Sequence, residues 1–155
     1  MIKFKRILFP TDFSPSAAHA LDFAISLALE HESELLLLHV IEDISFNSPF
    51  TLSTFPSLVE YQDSMDAKIR EELHKVISDQ IRRQIPVEEI LARGKPFLEI
   101  VRVAREKQAD LIVIPTHSHP GLKHSHLGAT AERVVRKSLC PVLVVRHPDT
   151  QFAMP

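Results

Sequence analysis

Residues 6–41, RILFPTDFSPSAAHALDFAISLALEHESELLLLHVI, decide the fold. The apolar runs at 6–9 and 34–41 show no polar alternation, which is typical of parallel strands covered on both faces. Between them, Ser14 is a favourable helix N-cap, Pro15 suits the first helical position, and apolar side chains then recur at helical spacing. The stretch therefore predicts a β-α-β unit, which requires a right-handed crossover and a parallel sheet.

The same alternation of strand and helix continues through the rest of the chain. Residues 43–56 show no steady period and predict a long connection, whereas helical spacing from Ser57 to Ile81 predicts one long amphipathic helix that Pro86 stops. The remaining predicted elements are strands at 87–92, 109–114 and 142–145 and helices at 97–104 and 127–139. The sequence thus predicts an α/β fold, a doubly wound domain of five strands and four helices.

Composition limits the class of protein. A chain of 155 residues with 45% apolar and 25% charged residues predicts one folded domain, which we assign to residues 1–147, followed by a polar tail at 148–155. A formal charge of −2 with scattered basic residues argues against nucleic-acid binding. No apolar run approaches a membrane span or a signal peptide, and the lone Cys140 allows no internal disulfide, so a cytoplasmic protein is expected.

Two positions suggest a ligand site from their place in the fold alone. In open parallel sheets, ligands bind beyond the C-terminal ends of the strands. Asp12 follows the first strand, where it could accept hydrogen bonds from a nucleoside or could instead cap the helix that begins near Pro15. Gly128 begins the last helix, where free N–H groups favour a phosphate, although a glycine here is equally compatible with a tight turn.

Four segments together resemble the universal stress protein family. They are ILFPTDFS from Ile7, LLHV from Leu37, ADLIVI from Ala109 and GATAERVVRKSLCPVLVVR from Gly128. The resemblance spans Lys3 to Arg146 and implies a flavodoxin-like sheet of strand order 3-2-1-4-5 and a role in the stress response. It also implies a homodimer joined through the last strand, at Val142 and Val144, with an unidentified protein partner left open.

The resemblance also implies an adenine-nucleotide site, for ATP or a related nucleotide. Asp12 and Val40 match the family's adenosine-contacting positions, the second through its main chain. The expected site residues are Thr11, Asp12, Val40, His117, Gly128, Ala129 and Thr130.

The glycine pattern of the family's ATP-binding members, G-x-x-G-x9-G-[ST], is largely lost. Pro115 and Ser118 replace its first two glycines and Ala129 replaces its Ser/Thr, so that only Gly128 matches. Proline has no N–H to donate, Ser118 adds a Cβ to the loop, and Ala129 lacks a hydroxyl. The sequence therefore predicts weak or absent ATP binding.

Two alternatives remain open. The protein could be an ATP sensor or slow ATPase of the same fold, in which the imidazoles and Thr130 replace the missing loop contacts. Because His117, His119, His124 and His126 fall within ten residues, it could also be a metal-responsive module, although that window lacks the Cys, Asp or Glu that would complete a zinc site. No P-loop, catalytic triad or carboxylate pair is evident, so we expect binding rather than catalysis, and no specific metal.

Overall fold

Five parallel strands form one sheet in a computed structural model, which describes residues 1–42, 57–116 and 127–148. The strands are β1 (Arg6–Pro10), β2 (Glu34–Ile41), β3 (Val87–Arg93), β4 (Leu111–Pro115) and β5 (Val142–Val145). Their order is β3-β2-β1-β4-β5, which confirms the predicted doubly wound α/β fold. The predicted connection at 43–56, most of the loop before the last helix and nearly all of the tail lie outside the described residues.

Helices separate the strands along the chain. They are α1 (Pro15–His31), α2 (Ser57–Lys75), α3 (Asp79–Arg82), α4 (Pro96–Glu106) and α5 (Ala129–Lys137). The side chains of α1, the end of α2 and the segment after it pack on one face of the sheet, and those of α4 and α5 on the other. Each face has its own apolar core, so β1 and β2 are buried on both sides, as their continuous apolar sequences predict.

The prediction of one helix from Ser57 to Ile81 was wrong. Helix α2 ends at Lys75, and the four-residue α3 follows, so this segment contains two helices where the sequence predicted one. The side chain of Arg82 explains the break, because its guanidinium donates to the carbonyl groups of His74 and Ile77 at 2.9 and 3.2 Å. These carbonyls are satisfied without a further helical turn, and Ile77 is turned into the core, where it is 2% exposed.

The last helix is also shorter than predicted. It ends at Lys137, and Leu139, which we expected on its apolar face, is 85% exposed. Ser138 leaves the helical conformation, and its hydroxyl accepts a hydrogen bond from the N–H of Cys140 at 3.2 Å. Serine side chains compete in this way with helical hydrogen bonding, and Pro141 cannot continue the helix.

The connection between β3 and α4 requires glycine. Gly94 has φ of +140° and donates its N–H to the carbonyl of Ile41 at 3.0 Å. A Cβ at this position would lie 3.2 Å from Cγ of Glu99. The turn predicted at Gly94-Lys95-Pro96 therefore depends on a conformation that other residues rarely adopt, and it sets the start of α4 beside the end of β2.

Candidate functional site

A cavity of about 400 Å³ opens at the C-terminal edge of the sheet, a volume typical of small-molecule sites. Its lining comes from the ends of β1, β2 and β4 and the starts of α4 and α5: Pro10, Thr11, Asp12, Val40, Glu42, Pro96, Ile100, Ile114, Pro115, Thr116, Gly128, Ala129, Thr130 and Ala131. Six of the seven expected site residues thus line one cavity. The seventh, His117, lies outside the described residues.

The turn after β1 is held by its own hydrogen bonds. The Oγ1 of Thr11, which is 7% exposed, accepts from the N–H of Phe13 at 3.1 Å. Phe13 has φ of 63°, in the left-handed region, and its ring lies 4.5 Å from that of His39. Because a carbonyl oxygen only accepts, Nδ1 of His39 must donate in its 2.8 Å hydrogen bond to the C=O of Thr11. The Thr11 hydroxyl therefore has a structural role in this turn, which sequence reasoning missed.

Of the two roles that the sequence left open for Asp12, the structure shows the one at the entry to α1, and it places the residue at the cavity. Its Oδ1 accepts from the N–H of Ser14 at 3.0 Å, so the carboxylate helps to form the entry to α1. The Oγ of Ser14 in turn accepts from the N–H of Ala17 at 3.1 Å, as predicted for an N-cap. Asp12 is nevertheless exposed and lines the cavity. The capping contact therefore fixes a carboxylate at the cavity wall.

The main chain of Val40 is directed toward the end of β1. The carbonyl of Leu38 accepts from the N–H of Thr11 at 2.8 Å, on the β1 side of β2, whereas that of Ile41 accepts from Gly94 on the β3 side. Because backbone polar groups alternate between the two sides of a strand, those of Val40 point to the same side as those of Leu38. Strand β1 ends at Pro10, so these groups face the cavity region, in agreement with a main-chain role for Val40.

Helix α5 begins at the cavity wall, and among the described residues no side chain caps it. Its N-cap, Gly128, has φ of −59° and ψ of 150°, a conformation open to any residue, so a tight turn does not explain the glycine. The N–H of Gly128 donates to the C=O of Thr116 at 2.9 Å, which fixes the helix start against the end of β4. The first turn of α5, at Ala129 and Thr130, therefore presents N–H groups and the positive end of the helix dipole to the cavity.

Eight of the fourteen lining residues were not among the expected site residues, and Glu42, Pro96 and Thr116 are three of these. Glu42 follows β2, Pro96 begins α4, and Thr116 follows β4, where it is 6% exposed and donates its N–H to Val145 at 3.0 Å. The rule that led to Asp12 applies equally to Glu42 and Thr116, because each directly follows a strand. Pro96 gave no such signal, since only the position of α4 in the fold brings it to the site.

The histidines that the sequence offers as possible metal ligands do not line the described part of the cavity. The four clustered histidines fall outside the described ranges, and within those ranges no three His, Cys, Asp or Glu side chains are placed to hold a metal ion. His39 is half-buried and bonded to the main chain, as expected for a satisfied core residue. Among the helices of the described segments, none has the length and apolar character needed to cross a membrane.

The fold and the cavity together define a doubly wound α/β protein with a cavity at the C-terminal edge of its sheet. The universal stress protein family model matches residues 3–146. The chain therefore belongs to the universal stress protein family, and the resemblance seen in the sequence is confirmed.

Individual proteins that are similar to this chain are also universal stress proteins. The universal stress protein MJ0531 of Methanocaldococcus jannaschii is 34% identical over 96% of this chain and 85% of its own, and MJ0577 of the same organism is 30% identical over 96% and 99%. Among solved structures, UspA from Lactobacillus plantarum has a TM-score of 0.78 at 25% identity, covering 94% of this chain and all of its own. The structure of MJ0577 has a TM-score of 0.70 at 32% identity and covers 94% and 98%.

Two other structures of the same fold were solved with adenine nucleotides. A universal stress protein in complex with cAMP has a TM-score of 0.60 at 20% identity, covering 93% of this chain and 98% of its own. One from Archaeoglobus fulgidus in complex with dAMP has a TM-score of 0.57 at 23% identity and covers 93% and 98%. At these identities the likeness establishes a shared fold.

Proposed function

We propose that this universal stress protein acts in the stress response by binding and interaction, with an adenine-nucleotide site of reduced ATP affinity in the cavity at the sheet edge. One observation carries the proposal. Residues from three separate stretches of sequence, around Asp12, Val40 and Gly128, meet at one cavity into which the uncapped start of α5 opens. The cAMP and dAMP complexes of the two distant proteins support the choice of ligand class.

The cavity divides into two parts of different chemistry. Near β1 and β2, the Asp12 carboxylate can accept from an adenine amino group or a ribose hydroxyl, and the main chain of Val40 offers further partners. Near α5, the N–H groups of Ala129 and Thr130 suit one phosphate group. His117 is retained as a proposed contact from the sequence alone.

Reduced ATP affinity follows from the residues that replace the glycine pattern. Pro115 lines the cavity, carries no N–H and cannot donate to a phosphate oxygen. Ala129 keeps its N–H but has no hydroxyl, which removes another donor. A net hydrogen bond to a charged group contributes about 1.5–3 kcal/mol, so the loss of one contact weakens binding about ten-fold or more.

The test is a pair of measurements on the natural protein. Absorbance at 260 nm after denaturation reports copurified nucleotide, and calorimetry measures ATP binding directly. We expect weak ATP binding, abolished in Asp12→Ala and kept in Asp22→Ala, a control that removes an exposed carboxylate farther along α1. Micromolar ATP affinity would instead favour the sensor or slow-ATPase alternative. Failure of any adenine ligand to bind at millimolar concentration would contradict the proposal.

We further propose a homodimer through β5, because the two edge strands of the sheet differ. At β3, Glu88 forms an ion pair with Lys107, and Glu89 forms one with Arg82 at 2.5 Å. Charged side chains on an edge strand disfavour its pairing with a strand of another chain. Strand β5 reads VLVV, has no charged side chain and pairs only with β4 among the described strands. Pairing with a second β5 would satisfy its free backbone edge.

Light scattering tests the assembly. The natural protein is expected to be a dimer at micromolar concentration, and Val144→Arg is expected to shift it to monomer, since the substitution places a charge on β5. Val87→Arg, at the start of the opposite edge strand, is the matched control and should leave the dimer intact. A natural protein that is monomeric at this concentration would contradict the proposal.

We also infer that residues 1–147 form the universal stress protein domain, that 148–155 form a tail, and that the protein works in the cytoplasm. The family match to residues 3–146 supports the domain range of 1–147. The single cysteine supports the last inference, because no part of the fold depends on an oxidising compartment. Limited proteolysis that releases the tail would support the domain boundaries. Cleavage inside any of the five strands before the tail is released would contradict them.

A further inference from the structure

A second cavity, of about 190 Å³, opens at the N-terminal edge of the sheet, opposite the candidate site. It lies between the end of α4 and the segments that lead into β4 and β5. Its apolar lining comprises Val101, Ala104, Ala109, Leu139 and Cys140. Leu139 is 85% exposed, so the described residues leave an apolar side chain uncovered shortly before the edge strand β5.

The lining of the second cavity also carries a positive charge, on Arg105, whose side chain is exposed. The neighbouring Arg102 pairs with Glu99 and Glu106, but no described carboxylate forms an ion pair with Arg105. Guanidinium groups bind carboxylates through charge-assisted hydrogen bonds. A segment that combines one carboxylate with large apolar side chains therefore complements the second cavity.

The proposed homodimer brings one such segment to the second cavity. A closed pair of identical strands has twofold symmetry and runs antiparallel within one sheet. With the two copies of β5 fully paired, Val142 lies opposite Val145 of the second copy. Each step back along one strand is matched by a step forward along the other, so Leu139 lies opposite Pro148 of the second copy. The tail of the second copy therefore begins beside the second cavity.

The sequence of the tail complements that cavity. Residues 149–155 read DTQFAMP, with Asp149 as their one charged residue and Phe152 and Met154 as their large apolar residues. Three extended residues span about 10 Å, so Asp149 and Phe152 can reach different parts of the same cavity. The tail thus offers one carboxylate for Arg105 and apolar side chains for the rest of the lining.

We propose that the tail of each copy binds in the second cavity of the other copy, with Phe152 against Leu139 and Asp149 beside Arg105. This inference rests on the proposed β5 dimer and adds a second contact to it. By symmetry the dimer contains two exchanged tails. They cover the apolar side chain that the described residues leave exposed and supply Arg105 with a carboxylate.

The thiol of Cys140 in the second cavity allows a direct test. In the full chain carrying Phe152→Cys, oxidised with diamide, the introduced thiol should form a disulfide with Cys140 of the other copy, because a disulfide requires Cα atoms about 4.4–6.8 Å apart. Non-reducing electrophoresis should show a covalent dimer, and adding Cys140→Ser should abolish it. Leu29→Cys, at an exposed position of α1, is the matched control and should give no covalent dimer at the same concentration.

A charge exchange tests the pair of Asp149 and Arg105 in the full chain. Arg105→Glu and Asp149→Lys should each raise the dissociation constant of the dimer about three-fold or more, because two exposed ion pairs are lost in each dimer. The two substitutions together should restore it. Arg70→Glu, on an exposed residue of α2, is the matched control and should leave dimerisation unchanged. Sedimentation velocity measures the dissociation constants.

The outcomes separate the exchanged tail from the β5 dimer. A disulfide formed within one chain would overturn the exchange between copies. A dimer that forms without any cross-link to Cys140 would overturn the docking of the tail and leave the pairing of β5 intact. A double variant that dimerises no better than the single ones would overturn the contact of Asp149 with Arg105. If the natural protein is a monomer, the β5 dimer itself is wrong and the exchange falls with it.

Discussion

Helices α1 and α5 both begin at the C-terminal edge of the sheet, but the N–H groups of their first turns have different partners. At α1, the hydroxyl of Ser14 accepts from Ala17 and the carboxylate of Asp12 accepts from Ser14. At α5, Gly128 provides no side chain, and the helix start lines the cavity. Helix α1 therefore uses its own chain as the cap, whereas the N-cap residue of α5 has no side chain, and we propose that its first N–H groups receive an external acceptor.

The largest expected effect concerns the loop that leads into α5. Restoring the family's glycine pattern with Pro115→Gly, Ser118→Gly and Ala129→Ser should return donors to the open helix start. ATP should then bind about ten-fold more tightly or better, which is about 1.4 kcal/mol or more. Calorimetry on both proteins measures this, and Asp12→Ala in the restored background should remove the gain. Equal ATP affinity in the natural and restored proteins would show that the loop does not limit binding.

The second prediction removes the cap from α1. Ser14→Ala deletes the oxygen that accepts from Ala17 and should lower the free energy of unfolding by about 1 kcal/mol. Urea denaturation followed by circular dichroism measures the change. Ser26→Ala is the matched control, because that hydroxyl bonds the carbonyl of Asp22 within the same helix and caps nothing. Equal losses in the two variants would mean that Ser14 does not act as a cap.

The smallest effect comes from giving α5 the cap that α1 has. Gly128→Ser should raise the free energy of unfolding by about 0.5 kcal/mol, because serine is the better N-cap. The new hydroxyl would compete with a phosphate for the same N–H groups, so AMP should bind a few-fold more weakly while adenosine is unaffected. Gly128→Ala is the control, since alanine adds a Cβ without an acceptor. If Gly128→Ala weakens AMP binding as much as Gly128→Ser does, the added Cβ causes the loss by keeping the phosphate away from the backbone, and competition by the new hydroxyl does not.

Much of the fold could be predicted because its signals are local. The continuous apolar runs of β1 and β2 and the Ser14-Pro15 helix start each depend on neighbouring residues. The break after Lys75 could not be predicted, because Ile77 keeps the helical spacing and the hydrogen bonds that satisfy the helix end come from Arg82, several residues onward. Leu139 was wrongly predicted to lie on the apolar face of the last helix for a related reason. The hydrogen bond between the Ser138 hydroxyl and the N–H of Cys140 ends the helix, but it leaves no trace in the spacing of apolar residues.

The candidate site was predictable where residues directly follow a strand or begin a helix. Asp12, Val40 and Gly128 were expected, and all three line the cavity. The structural role of Thr11 was missed because it depends on the left-handed conformation of Phe13 and on His39 of the neighbouring strand. Pro96 was missed because it reaches the cavity only through the packing of α4 against the sheet.

The central claim is that the start of α5, and not that of α1, receives the ligand's phosphate. The most direct measurement is a titration of the ¹⁵N-labelled protein with AMP, followed through the backbone amide signals in ¹H–¹⁵N spectra. The account predicts that the signals of Ala129 and Thr130 shift and saturate together, while that of Ala17, already bonded to Ser14, stays in place. Unmoved signals at Ala129 and Thr130 with AMP bound, or a shift confined to Ala17, would contradict it.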